Sequence, residues 1–247
     1  MMLNLNKTSV EKTHYIEDIA AINSTLMAMS PIDVIDYAAT ELFRNRLCIV
    51  SSFGAESVIL LHLISQAHAN TPVIFLNTGK LFGETMRYRD RLQDTLGLMD
   101  VRSVGPSPQD LQEQDPKGNL WGRDLDQCCH IRKVLPQARA TAPFDAIITG
   151  RKRFQTAQRT DMNVLELHGD GKYRLNPLAN WDLEQLRNYI ETHDLPRHPL
   201  VKDGYLSIGC MPCTSRATSD VDYRSGRWAG TDKDECGIHI NVDGDGI

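Results

Sequence analysis

The sequence predicts an α/β fold, a mostly parallel sheet flanked by helices, and three observations predict it. Short apolar runs of strand length recur along the chain: LCIV (47–50), PVIFLNTG (72–79), MDVRSV (99–104) and DAIITG (145–150). Helical patterns separate them, and strands alternating with helices favour a parallel sheet with helices on both faces. The runs also end in loops rich in Ser, Gly, Asn and Arg, namely SSFGAES, LNTG and ITGRKRFQTAQR. In such folds ligands sit at the carboxyl ends of the strands.

Each element has its own signal. Ser30 followed by Pro31 supplies an N-cap and a first helical position for PIDVIDYAATELF, whose apolar residues recur at three and four. LCIV and SSFGAES then lead into VILLHLISQAH, which reads as strand, tight loop and buried helix. ETMRYRDRLQDTLG (84–97) is amphipathic and is stopped by glycine. DLEQLRNYIETHD (182–194) is a further helix, and from HPLVKDGY onward the chain is rich in Gly, Pro, Cys and charge. The predicted organisation is a helical segment over 1–45 packed on the core, an α/β domain over 46–225, and a mobile tail over 226–247. The tail carries Cys236 in DKDECGIHI, a charged, glycine-flanked setting unlike that of a buried structural thiol.

The chain has 247 residues, enough for one substantial core, and 24 % of them are charged, as in an ordinary globular protein. No apolar run approaches the roughly 20 residues of a membrane helix. The start lacks the basic-then-apolar layout of a secretory signal, so a cytoplasmic location is expected. The net charge of −5 argues against a nucleic-acid surface. Between Arg123 and Arg159, however, eight Lys and Arg face three Asp, a local excess that suits a small anionic ligand.

SSFGAES, comprising Ser51, Ser52, Phe53, Gly54, Ala55, Glu56 and Ser57, offers backbone N–H groups beside a helix N-terminus, where phosphate is favoured. It lacks the spacing of a P-loop ATPase. CCHIRK (128–133) and GCMPCTSR (209–216) are the stronger signal, because Cys128, Cys129, Cys210 and Cys213 can hold zinc or an iron–sulfur cluster. Zinc needs four sulfurs about 3.8 Å apart. Adjacent residues point their side chains apart, which suits a cube whose irons each take one sulfur, so the pattern favours [4Fe–4S]. A thioredoxin-like dithiol at Cys210 and Cys213 leaves Cys128 and Cys129 unexplained. Cys48, in an apolar run, reads as a core residue. Lys133, four residues after Cys129, would return along a helix to the metal site. Arg159, and Arg224 with Arg227 in YRSGRW, could surround a multiply charged anion.

Together these residues resemble the APS/PAPS reductase family, in particular the assimilatory adenylyl-sulfate reductases. The resemblance runs from Cys48 to His239 through SSFGAES, LNTGKLFGET, CCHIRKVLP, ITGRKRFQTAQR, NPLANW, HPLVKDGYLSIGCMPCT, RSGRWAG and ECGIH. It implies a PP-loop adenine-nucleotide (Rossmann-like) fold with SSFGAES as the phosphate loop. It also implies substrate contacts from Thr78 and Gly79 as well as the arginines, and a [4Fe–4S] cluster on the four paired cysteines. The implied reaction is attack by Cys236 on adenosine 5′-phosphosulfate (APS), releasing AMP and leaving an S-sulfocysteine that thioredoxin reduces to sulfite. Lys133 and His239 would assist at the reacting sulfur. Two positions depart from the family pattern: Asn77 stands where Asp is common, and Phe154 where a polar or acidic residue is usual. The rival readings are the same chemistry on the 3′-phosphorylated substrate (PAPS), a zinc-binding nucleotide sensor, and an ATP-dependent adenylating enzyme. The last gives ECGIH no role. A homo-oligomer is compatible with the sequence.

Overall fold

The computed structural model describes residues 16–218, 224–231, 233 and 237–239, the last without its side chain. Six strands form one sheet: β1 (Leu47–Ser51), β2 (Val73–Leu76), β3 (Val101–Val104), β4 (Ala146–Ile148), β5 (Leu165–Leu167) and β6 (Tyr173–Leu175). Their order is β3-β2-β1-β4-β6-β5. All neighbouring pairs are parallel except β5 with β6. The four strands expected from apolar runs are present. The β5–β6 hairpin was not anticipated: its strands are three residues long, and its turn, HGDGK, is the signal in the sequence.

Period-two alternation divides the central strands between two cores. Leu47, Ile49, Val73, Phe75, Ala146 and Ile148 enter the larger core, while Cys48, Ile74, Leu76 and Ile147 enter the smaller one. Helices follow from caps and periodicity. Asp18 caps α1 (Ile19–Met27), and Ser30 with Pro31 opens α2 (Pro31–Tyr37), as expected. α3 (Ser57–His68) packs against α2, and α4 (Gly83–Leu96) stops at Gly97, whose φ of 62° is the left-handed conformation that glycine adopts freely. α5 (Pro108–Gln114) precedes α6 (Leu125–Cys129), which continues through a π-helical turn (His130–Val134) into α7 (Leu135–Thr141). α7 lies against β2 and β3 on the smaller-core side. α8 (Leu183–Thr192), begun by a capping box of Asp182 and Gln185, packs on α3.

The N-terminal helices are part of the main core through Leu26, Val34 and Ile35. Asn23 also closes the sheet edge. Its amide accepts from the Leu165 N–H and donates to the Leu165 carbonyl, both at 2.9 Å, satisfying two buried backbone groups of edge strand β5. Among the described residues no helix is long and apolar enough to cross a membrane.

His198 anchors the segment that leads to Cys210. Its Nδ1 accepts from Leu200 N–H at 3.2 Å, which places the ring proton on Nε2, 3.0 Å from Thr85 Oγ1. Burial pulls its pKa from 6.5 down to about 4, with Glu84 opposing. The folded ring therefore stays neutral where the unfolded ring takes a proton. Its contribution to stability is complete above about pH 6.5 and is lost as pH falls from there towards 4. Urea denaturation across this range should show a smaller pH slope for His198→Asn, in which the amide oxygen replaces Nδ1, than for the native chain. Equal slopes would assign the loss to other groups.

Candidate active site

The sheet order reverses between β1 and β4. Chain leaving β1 proceeds to β2 on one side, while β4 lies on the other, so their following loops separate and leave a crevice. SSFGAES leaves β1 there. Ser51 Oγ accepts from Phe53 N–H at 3.2 Å, and Gly54 N–H donates to Ser57 Oγ at 3.0 Å. Phe53 takes a φ of 49°, rare for a non-glycine residue, and turns its ring into the core, edge-on to Phe75. A Cβ on Gly54 would crowd the Ile208 carbonyl oxygen at 3.0 Å. The N-terminus of α3 meets the same crevice and has no side-chain cap.

From the other side, β4 delivers Thr149 to Lys152. Arg151 donates to Glu166 at 2.7 Å, and Glu166 also accepts from Asn176. Burial, and then the nearby Arg159 and Arg174, pull the Arg151 pKa down to about 10 although Glu166 opposes this. Lys152 pairs with Glu56, which also accepts from Gln155 Nε2 at 3.2 Å. Gln155 Oε1 accepts from Arg159 and from the Lys152 N–H. These bonds fold RKRFQTAQR into two short 3-10 turns that bury Lys152 and Arg159 and leave Phe154 outside, 40 % exposed.

The four paired cysteines converge from segments eighty residues apart. Cys128, Cys129 and Cys210 are buried and Cys213 is half-buried. Burial first, then Cys129, with Cys210 and Cys213 adding, pushes the Cys128 thiol up to about 11 against the pull of Arg132. Cys213 is raised by burial and by Cys210 and Cys129, with Lys133 and Arg227 opposing. Lys133 thus lies beside the thiols as expected, although the turn that brings it there is π-helical. Among the described residues no three His, Cys, Asp or Glu are grouped to hold a single metal ion.

Backbone and side-chain bonds fix this convergence. Met211 N–H donates to the Lys80 carbonyl at 2.7 Å, and Leu81 bridges Cys210. Thr78 Oγ1 lies 3.3 Å from Cys210 Sγ. Trp228 N–H donates to the Cys213 carbonyl at 3.1 Å, and Arg227 stacks on the Trp228 ring at 4.4 Å with Arg224 at 5.9 Å. The turn Gly237–His239 packs on His130–Val134, close enough that a Cβ on Gly237 would sit 3.2 Å from Val134 Cγ2. Ile238 packs on the smaller core. Cys236 and the His239 side chain lie outside the described residues.

One cavity of about 210 Å³ joins these parts. Ser51, Ser52, Gly54, Glu56, Ser57, Thr78, Lys133, Arg159, Cys210, Arg224 and Arg227 all line it, as do Arg151, Lys152, Gln155 and Trp228, which the sequence did not single out as ligands. Their signal was position just past a strand end, or beside the paired arginines. Phe53 and Gly79 do not line it. Gly79 is exposed, with its N–H on Asn77 Oδ1 at 3.2 Å, so Asn77 acts as a turn former, a role Asp fills equally. Cys48 is a core thiol, raised to about 12 by burial.

Arg132 is a buried tether. Its guanidinium donates to the Thr78 carbonyl at 2.7 Å and to Asp115 at 2.5 Å, both side chains of the ion pair being buried. Burial alone would raise the Asp115 carboxyl, but the bonds from Arg132 and from Leu120 N–H hold it below the usual carboxylate value. Asp115→Asn leaves a buried cation without its counter-charge and should cost about 3–5 kcal/mol in chemical denaturation. A loss below about 0.5 kcal/mol, the scale of an ordinary surface substitution, would show that the pair is dispensable.

Residues 46–216 match the model of the phosphoadenosine phosphosulfate reductase domain. The chain is 46 % identical to an adenosine 5′-phosphosulfate reductase of Mesorhizobium japonicum, covering 90 % of this chain and 87 % of that one. It is 39 % identical to a phosphoadenosine 5′-phosphosulfate reductase of Gloeobacter violaceus, covering 81 % and 85 %. Among solved structures, a phosphoadenylyl-sulfate (PAPS) reductase from Candida auris, in a phosphate complex, superposes with a TM-score of 0.69 at 26 % identity, covering 79 % of this chain and 95 % of that one. FMN adenylyltransferase of Candida glabrata, at 11 % identity and a TM-score of 0.53 over 79 % and 72 % of the two chains, shares the fold. The chain belongs to the phosphoadenosine phosphosulfate reductase domain family.

Proposed function

We propose that the protein is an adenylyl-sulfate reductase of assimilatory sulfate reduction, converting APS to sulfite and AMP in the cytoplasm. The observation that carries this reading is a single cleft holding the phosphate loop, six basic side chains and one member of the converging thiol set. The names of the relatives at 46 % and 48 % identity, both adenosine 5′-phosphosulfate reductases, support APS as the substrate.

The chemistry follows from charge. The sulfur of APS is bonded to a phosphate that leaves readily as AMP, but its surrounding oxygens repel a thiolate. Lys133, Arg224 and Arg227 neutralise the sulfo and phosphate oxygens and stabilise charge arriving on the departing AMP. The Cys236 thiolate attacks sulfur, the S–O bond to AMP breaks, and an enzyme S-sulfonate remains. A thiolate of thioredoxin then attacks the Cys236 sulfur and expels sulfite. The second thioredoxin thiol resolves the mixed disulfide, so both electrons come from the dithiol. Cys236 would serve both partners in turn, first the substrate and then the reductant. The acidic Asp234 and Glu235 oppose thiolate formation away from the cations, and docking of Gly237–His239 beside Lys133 favours it.

The donor set suits a [4Fe–4S] cluster: four thiols, three of them buried, come together from two segments of the chain. Cys128, Cys129, Cys210 and Cys213 would hold it. When bound, it supplies a cross-link between the two cysteine segments and charge on the cavity floor beside Lys133.

Anaerobically prepared protein incubated with APS, and separately with PAPS, in the absence of thioredoxin should gain one sulfonate on Cys236 from APS. Intact mass and a peptide map would show it, and thioredoxin should discharge it as sulfite. Iron with acid-labile sulfide should accompany the active protein, and zinc in its place would favour a sensor. An adduct formed only with PAPS would change the substrate. No adduct from either, in cluster-replete protein, would end the reading.

A further inference from the structure

Among the described residues after Thr231, two contacts with the rest of the protein differ in kind. Lys233 pairs with Asp126 of α6, whose side chain is 87 % exposed, and an ion pair so open to water contributes little. Four residues after Lys233 begins the turn Gly237–His239, which packs on the π-helical turn His130–Val134. There Ile238 packs on the smaller core of Cys48, Ile74, Leu76, Phe144 and Ile147. In TDKDECGIH (231–239) it is the one aliphatic side chain, so apolar burial in this stretch falls to Ile238.

Ile238 also lines the cleft, together with Val50 near the end of β1 and Leu76 at the end of β2. An aliphatic side chain offers an anionic ligand no hydrogen bond, so its place in this lining serves the chain that carries it. The fit beside it is close. A Cβ on Gly237 would lie 3.2 Å from Val134 Cγ2, a separation at which the valine must give way. Cys236 is bonded directly to Gly237, which holds their Cα atoms about 3.8 Å apart. Fixing Gly237 and Ile238 therefore confines Cys236 to the wall of the cleft that carries Lys133.

We infer that Ile238 is a positioning residue: seated on the smaller core, with Gly237 fitted against Val134, it holds the adjoining Cys236 within reach of the sulfur of a bound adenylyl sulfate. This rests on the reading of the protein as an adenylyl-sulfate reductase, and it names the contact that sets the distance of attack. Confining a nucleophile near its target acts on the rate of the bond-forming step and leaves affinity for the nucleotide alone. Because apolar burial carries the contact, the exposed Lys233–Asp126 pair is dispensable to it.

Single-turnover sulfonation of Cys236 at saturating APS, followed by intact mass without thioredoxin, separates position from affinity. Ile238→Ala should slow this step by about tenfold or more, while calorimetric titration with AMP stays within about twofold of the native chain. Ile238→Leu, which refills the contact, should recover most of the rate, and Lys233→Ala should stay within about twofold of native. A second pair of variants tests the fit. Gly237→Ala alone should slow sulfonation, and adding Val134→Ala, which removes the methyl group in its way, should restore it. General weakening of the fold would give no such recovery. Native sulfonation in Ile238→Ala would overturn the inference and leave the reductase reading standing. So would a loss of AMP affinity equal to the loss of rate, since Ile238 would then act on the nucleotide site. If the native chain takes no sulfonate from APS or PAPS, the reductase reading itself fails and the inference falls with it.

Discussion

The site depends on one buried guanidinium. Arg132 leaves the π-helical turn after Cys129 and reaches two other segments, the Thr78 carbonyl after β2 and the Asp115 carboxylate after α5. Thr78 in turn places its hydroxyl against Cys210. Two bonds from a single side chain therefore connect the first cysteine pair, the loop facing the second pair, and the chain that leads into α6. A lysine has one charged point and could not span these acceptors in the same way, whereas the planar fork of arginine suits them. The π-helical turn matters too, since it adds one residue to the turn and so re-aims Arg132 and Lys133 relative to the cysteines before them.

Around that tether the parallel sheet does the rest of the gathering. Every parallel strand ends on the same edge, and the reversal of strand order between β1 and β4 opens that edge where their loops part. The SSFGAES loop and the basic loop meet across the gap although about a hundred residues separate them. The thiol pairs are brought in from α6 and from the irregular segment secured by His198 and Lys80. Rigid strands thus position residues carried by chain with little regular structure of its own, as loops on α/β scaffolds commonly do.

Much of this was legible in the sequence because it rests on local signals. Apolar runs marked strands β1 to β4, Ser30-Pro31 and Gly97 marked helix ends, and the cysteine spacing marked the thiol site. What escaped rests on partners distant in the chain. That Asn23 closes β5, that Lys152 meets Glu56, and that Arg132 pairs with Asp115 follow from tertiary pairing, which no spacing encodes. The β5–β6 hairpin was too short for its alternation to register. Phe53 was read with its neighbours as part of a ligand loop, but its positive φ sends the ring inward, and a backbone angle of that kind is not written in residue type.

Burial of Arg151, with Arg159 and Arg174 near it and Glu166 opposing, depresses its ionisation, and this has a consequence for stability. Like charges held together in a buried pocket raise the free energy of the folded chain, and an anion entering the pocket relieves part of that repulsion. By linkage, occupancy then stabilises the fold in proportion to the logarithm of ligand concentration over its dissociation constant. A bound anion then serves as a structural element of the fold. The form with its ligand bound therefore opens less often than the empty one.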